Sequence, residues 1–124
     1  MNEIQDTLNE LHVKLATGDE HARLYTCQEV LELIKNHEDL QFKLQLQCLV
    51  LPFLVDLQLY EDAISCIDSI LDQGEYRQKL SALLFKSKMH QDKEDFDESI
   101  LALEQGIQLA KKCDDKAADR KSVV

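Results

Sequence analysis

The sequence predicts an all-α protein, built as three antiparallel helical hairpins stacked into a short right-handed α-solenoid. Three observations carry this reading. The chain has one proline and three glycines in 124 residues, too few for the turns of a β-protein. Leu, Gln, Glu and Lys, all good helix formers, dominate its composition together with Asp. One apolar pattern also returns with a period of 36 residues, which is the mark of a repeat architecture.

That pattern is clearest in YEDAISCIDSIL, residues 60–71. Shifted forward by 36 it falls on FDESILALEQGI, residues 96–107, and shifted back by 36 on LYTCQEVLELIK, residues 24–35. Leu24, Tyr60 and Phe96 then coincide, as do Cys27, Ala63 and Ser99, and Leu31, Ile67 and Leu103. The order is a large residue, a small one three positions on, and a large one four beyond that. A helical hairpin packs closely only where one helix sets a small side chain against a bulky one of its neighbour, so Cys27, Ala63 and Ser99 are the expected contact points. Upstream, Leu8, Leu44 and Leu80 coincide under the same shift, and so do Val13, Leu49 and Phe85.

The expected units are residues 2–38, 39–74 and 75–112, each with two helices. The first helix, 2–17, is polar over much of its surface through Asn2, Glu3, Gln5, Asp6, Asn9 and Glu10, as a terminal cap should be. Gly18-Asp19 interrupts it, and Asp19 is an expected N-cap for the second helix, 20–36. NHED at 36–39 precedes the third helix, 40–57, whose LQLQCLVLPFLVDLQL is apolar nearly all round and belongs at the domain centre. Pro52 inside it removes a hydrogen bond and clashes with the carbonyl of residue 48, so a kink or break is expected there. The fourth helix, 60–73, presents Ile64, Ile67, Ile70 and Leu71 and stops at Gly74. The fifth, 76–91, ends in the polar QDKED, and Asp95 is the expected N-cap of the sixth, 95–112. Residues 113–124 read as a basic tail, either flexible or the start of a capping helix.

Charge narrows the function. The net charge is −10, and residues 110–124 carry five Lys/Arg against three Asp, so residues 1–109 carry −12. Nucleic acids and anionic membranes are bound by neutralising phosphates with Lys and Arg, so neither is an expected partner. No run of 18 apolar residues exists, and MNEIQDTLNE lacks both a basic start and an apolar signal region. Cys27, Cys48, Cys66 and Cys113 form no CxxC pair, and three of them lie within apolar stripes. Reduced thiols and a cytoplasmic setting are expected.

The large-small-large pattern in YEDAISCIDSIL and FDESILALEQGI resembles the tetratricopeptide repeat family, a 34-residue helical hairpin whose second helix opens with an aromatic and has alanine three residues later. The resemblance spans about residues 20–112. It departs in its 36-residue period, in Leu24 and Cys27 of the first unit, in Ser99 of the third, and in Pro52. Helical-hairpin subunits of the proteasome lid and signalosome diverge in a similar way. The resemblance implies protein or peptide binding, usually on the concave face formed by the first helix of each hairpin.

Chemistry leaves little trace. No nucleophile elbow or catalytic-cysteine signature surrounds any Cys, and Gly18, Gly74 and Gly106 lie too far apart for a phosphate loop. His12, His21, His37 and His90 are not paired at i, i+4, and QDKEDFDE lacks the calcium-loop pattern. No catalytic residue, metal or cofactor is expected. The expected function is a non-enzymatic adaptor or scaffold. The alternatives are a small acidic chaperone of a secretion or assembly system covering a client helix, a helical segment of a larger complex, and, least favoured, a metal-dependent enzyme. Polar stripes on the first helices nominate Gln41, Gln45, Lys79, Lys86 and His90 for partner binding. Ile100, Leu101, Leu103, Ile107 and Leu109 spread beyond one narrow stripe, so the third hairpin is expected to bind another protein or a second copy through residues such as Leu101 and Ile107. Ser122-Val123-Val124 matches a carboxy-terminal motif read by strand-addition domains.

Overall fold

The computed structural model describes the backbone of residues 3–122 and the side chains of residues 3–113. Among these residues it has six α-helices and no strand: α1 (Glu3–Thr17), α2 (Glu20–Asn36), α3 (Leu40–Asp56), α4 (Tyr60–Gln73), α5 (Tyr76–Asp92) and α6 (Phe96–Ser122). The expected bounds hold to a residue except at the end of α6, which runs on to Ser122 instead of stopping at 112. No glycine or proline follows Gly106, so no breaker ends it sooner. Val123 and Val124 of the carboxy-terminal match lie outside the described residues.

Local chemistry sets the breaks. The Asp19 carboxylate accepts from Ala22 N at 2.8 Å, capping α2. Asp39, inside the NHED break, caps α3 by accepting from Gln41 N and Phe42 N. At the start of α5, Glu75 N donates to Gln78 Oε1 at 2.9 Å. The loops after α3 and α5 are copies of each other. Leu59 N donates to Leu54 O and Asp95 N to His90 O, while Gln58 N donates to Val55 O and Glu94 N to Gln91 O. Each bond is the image of its partner under the 36-residue shift. Gln58 (φ 62°) and Glu94 (φ 60°) are the left-handed residues that close the two loops.

Pro52 does not break α3, which runs through it to Asp56. Val50, Leu51, Leu54 and Val55 beside it are all buried. Burying each such side chain contributes about 1.5–3 kcal/mol, together more than the roughly 3 kcal/mol that a proline costs inside a helix.

Consecutive helices pack against one another along the whole chain, and α1 also packs on α3, and α3 on α5. Among the described residues the backbones of α2, α4 and α6 do not approach one another closely. The first helices of the three hairpins therefore form one continuous wall, with the second helices standing apart behind it. The core repeats with the sequence. Leu11, Gln47 and Leu83 are buried at one register position, and Leu15, Leu51 and Ser87 at the next. Cys27, Ala63 and Ser99 are buried in the small-residue slot, as are Val30, Cys66 and Ala102 one turn later.

Candidate functional site

The ends of the stack break this symmetry. Where α3 buries Phe42, Leu46 and Val50, the matching positions of α1 are the exposed Asp6, Glu10 and Lys14. The amino-terminal end is therefore closed with polar side chains. At the other end, Ile67 is 1% exposed in the middle unit and its image Leu103 is 38% exposed. Ile107, the image of the half-buried Leu71, is 57% exposed.

A stripe of Phe96, Ile100, Leu103 and Ile107 lies along α6 at helical spacing, all of it exposed. The adjacent stripe, Ser99, Ala102 and Gly106, about 100° round the helix, faces α5. Between the helices runs a groove of about 300 Å³ lined by Leu80, Leu83 and Leu84 of α5 and by Ala102, Leu103, Gly106, Ile107 and Ala110 of α6. Every lining residue is apolar or glycine. Shifted back by 36, this groove becomes Leu44, Gln47, Cys48, Cys66, Ile67, Ile70, Leu71 and Gly74 of the α3–α4 hairpin and its end, and α5 packs there on both helices. After α2 and α4 the chain turns within a few residues into the helix that fills such a groove. Past Leu109, the image of Gln73 where α4 ends, α6 continues as helix to Ser122, and among the described residues no helix packs into the third groove.

Three charges run along the side of α6 turned away from the groove floor. Asp97, Glu104 and Lys111 are exposed and follow one flank of α6 at seven-residue spacing. Arg77, exposed one turn before Leu80, stands on α5 at the end where Lys111 stands on α6, because the helices are antiparallel.

The polar residues nominated from the sequence do not form one wall. Gln41 and Gln45 are exposed, one turn apart on α3, and their images on α5 are Arg77 and Ser81. Lys79, Lys86 and His90 lie on another face of α5, the image of Lys43, Val50 and Leu54, two of which are fully buried. The His90 side chain is 13% exposed, and its Nδ1 sits 3.7 Å from Asp95 Oδ2, too far for a hydrogen bond. Of the carboxy-terminal candidates, Leu101 is exposed on a separate face of α6, while Ile107 lines the groove. Leu24, Leu31 and Tyr60 are half-buried, and Phe96 is exposed. Tyr60 carries Lys93 Nζ 5.6 Å above its ring. Leu84, Arg77 and Lys111 escaped the sequence reading. Leu83 and Leu84 point about 100° apart on the helix, and of the two only Leu83 is buried.

The remaining polar groups serve structure. Lys88 Nζ meets Asp56 Oδ1 at 3.2 Å, tying α5 to the end of α3. No group of three or more metal-ligating side chains comes together among the described residues, and no helix there is long and apolar enough to cross a membrane. Burial pushes the Cys27 and Cys48 thiols up to about 11 and the Cys66 thiol to about 12, with the Asp62 charge adding to the shift at Cys27 and Cys66. Such thiols are poor nucleophiles. No protein-family model matches this chain, and neither does any curated protein or solved structure.

Proposed function

We propose that this chain is a non-enzymatic protein-interaction module, a tetratricopeptide-like array that serves as an adaptor or scaffold for a partner protein. The observation that carries the reading is where the large apolar side chains are exposed. Leu84, Phe96, Ile100, Leu103 and Ile107 lie together on the third hairpin, Leu101 stands on another face of it, and the rest of the exposed set is scattered over four helices. Scattered exposure is ordinary on a soluble surface, but a contiguous apolar face marks an interaction surface. The net charge of −10 supports a protein partner over a nucleic acid. The free, buried Cys27 and Cys66 support a reducing, cytoplasm-like setting.

The test is reconstitution with a purified partner, first identified by co-purification and then titrated against wild type and Ile107→Lys. The variant side chain points to solvent, so the fold should tolerate it, which a circular-dichroism melt verifies. At least tenfold weaker binding is expected, the equivalent of about 1.4 kcal/mol. Equal affinity of both proteins would remove the third hairpin from the interaction.

A further inference from the structure

Resting on the reading of the third hairpin as an interaction surface, we propose that its occupant is a second copy of this chain, docked about a two-fold axis with the two α6 helices antiparallel. Phe96, Ile100, Leu103, Ile107 and Ala110 follow one another at intervals of four, three, four and three residues. That is the heptad spacing, by which one helix keeps a seam turned toward another, each side chain entering a hole on the facing helix. The first four are exposed, and Ala110 lines the groove beside them. None of the other described helices carries more than two exposed large apolar residues. The matching seam that this chain offers is therefore α6 of another copy.

Charge favours a second copy and sets its direction. The flank of the seam turned away from α5 carries Asp97, Glu104 and Lys111, negative at its start and positive at its end. Asp97 and Lys111 are equally far from Glu104 in the chain. Two such flanks laid antiparallel about Glu104 bring Asp97 of each copy beside Lys111 of the other, the same pair twice, as a two-fold interface requires. In that register Leu103 meets the other copy's Ile107 and Ile100 its Ala110, again twice each. Gly106 lies near the axis, where it lets the helices close. Laid parallel, each charged flank would face Ser99 and Gly106 of the other copy, and no ion pair would form. Sliding the antiparallel pair by one heptad would set Phe96 on Ile107, but also Asp97 on Glu104 twice.

Like charges oppose this arrangement at three places. Glu104 meets its own copy on the axis, once. Where the two α5 helices pass, Leu84 adds its exposed side chain near the axis, and Arg77 comes level with the other copy's Lys88. Asp56 of the same chain already holds Lys88 Nζ at 3.2 Å and balances its charge. The net charge of −10 is spread over the whole chain, and at physiological salt charges more than about 8 Å apart are largely screened.

The test is sedimentation equilibrium on the full chain, from about 1 to about 200 µM, a range that covers the affinities of small interfaces. Wild type should pass from monomer to dimer, and Ile107→Lys should stay monomeric throughout. Asp97→Lys sets lysine against lysine at both ends and should weaken the dimer at least about tenfold. Asp97→Lys combined with Lys111→Asp restores opposite charges and should recover the wild-type Kd. Glu104→Gln removes the repulsion on the axis and should tighten the dimer. Circular-dichroism melts verify that each variant is folded. A wild type that stays monomeric up to about 200 µM overturns the proposal. So does a dimer indifferent to Asp97→Lys, or one that the double exchange fails to rescue. If wild type is monomeric but Ile107→Lys weakens binding of the purified partner, the second copy falls and the interaction module stands. If neither responds, both fall.

Discussion

Ser87 Oγ and Ser99 Oγ lie 2.7 Å apart, sealed in the seam between α5 and α6. Their images are Leu15 with Cys27 and Leu51 with Ala63, so the third hairpin replaces an apolar pair by two hydroxyls that satisfy each other. Removing one leaves the other buried without a partner, whereas removing both leaves only small apolar groups. Ser87→Ala or Ser99→Ala alone is expected to cost about 1–3 kcal/mol, and the double variant less than the sum of the two. Urea melts of the three variants measure this. Strictly additive losses would mean that the two hydroxyls act independently.

Ala63 is fully buried, and Ile67 one turn later is 1% exposed. Ala63→Leu forces a larger side chain into a closed seam and is expected to cost about 1–3 kcal/mol. Ile67→Ala leaves a cavity and is expected to cost about 2–5 kcal/mol. The matching change at the exposed end, Leu103→Ala, should cost much less, since its methyl groups already meet water. Denaturant midpoints that rank Leu103→Ala beside Ile67→Ala would contradict an open groove.

The contrast between Ile67 and Leu103 also shows how much was legible beforehand. Close packing of helices needs a small residue at a fixed interval, so Cys27, Ala63 and Ser99 announced the repeat, the helix order and the buried slot. Exposure of the third hairpin was legible too, because Ile100, Leu103 and Ile107 spread beyond one narrow stripe and the segment 110–122 carries no apolar stripe that could fold back on them. Lys79 and Lys86 do not continue the polar stripe of Gln41 and Gln45, because the 36-residue register carries Gln41 onto Arg77 and Gln45 onto Ser81. The twin loops left no sequence signal. Gln58 and Glu94 take a left-handed conformation that glycine usually supplies, and nothing in their side chains declares it. Continuity of α3 through Pro52 depends on the surrounding burial, which local propensity does not contain.

The thiols predict a loss of stability at high pH. Folding raises Cys27 and Cys48 from 9.0 to about 11 and Cys66 to about 12. Below pH 9 both folded and unfolded chains keep these protons, so the thiols contribute no slope. Between 9.0 and about 11–12 the unfolded chain ionises first, and stability falls as pH rises. Melting temperatures measured across that window should drop, and Cys66→Ala should flatten the decline. At about pH 8, where the thiolate is the reactive form, Ellman's reagent should label the half-buried Cys113 well before Cys27 or Cys66. Rapid labelling of Cys66 in the folded protein would contradict its burial.

Gln47 offers the reverse case, a native residue that the fold would exchange to advantage. It is 8% exposed at the centre of α3, and its images in the other units are Leu11 and Leu83, both buried. Its Oε1 is buried without a hydrogen-bond partner. An unpaired buried carbonyl costs about 1–3 kcal/mol, and leucine has nearly the same volume while carrying no polar atom. Gln47→Leu is therefore expected to stabilise the protein by about 1–3 kcal/mol if the leucine packs without strain. A higher urea midpoint with an unchanged slope would establish it, since the slope reports the surface exposed on unfolding. A lower midpoint would show that the amide of Gln47 makes interactions worth more than its orphaned oxygen costs.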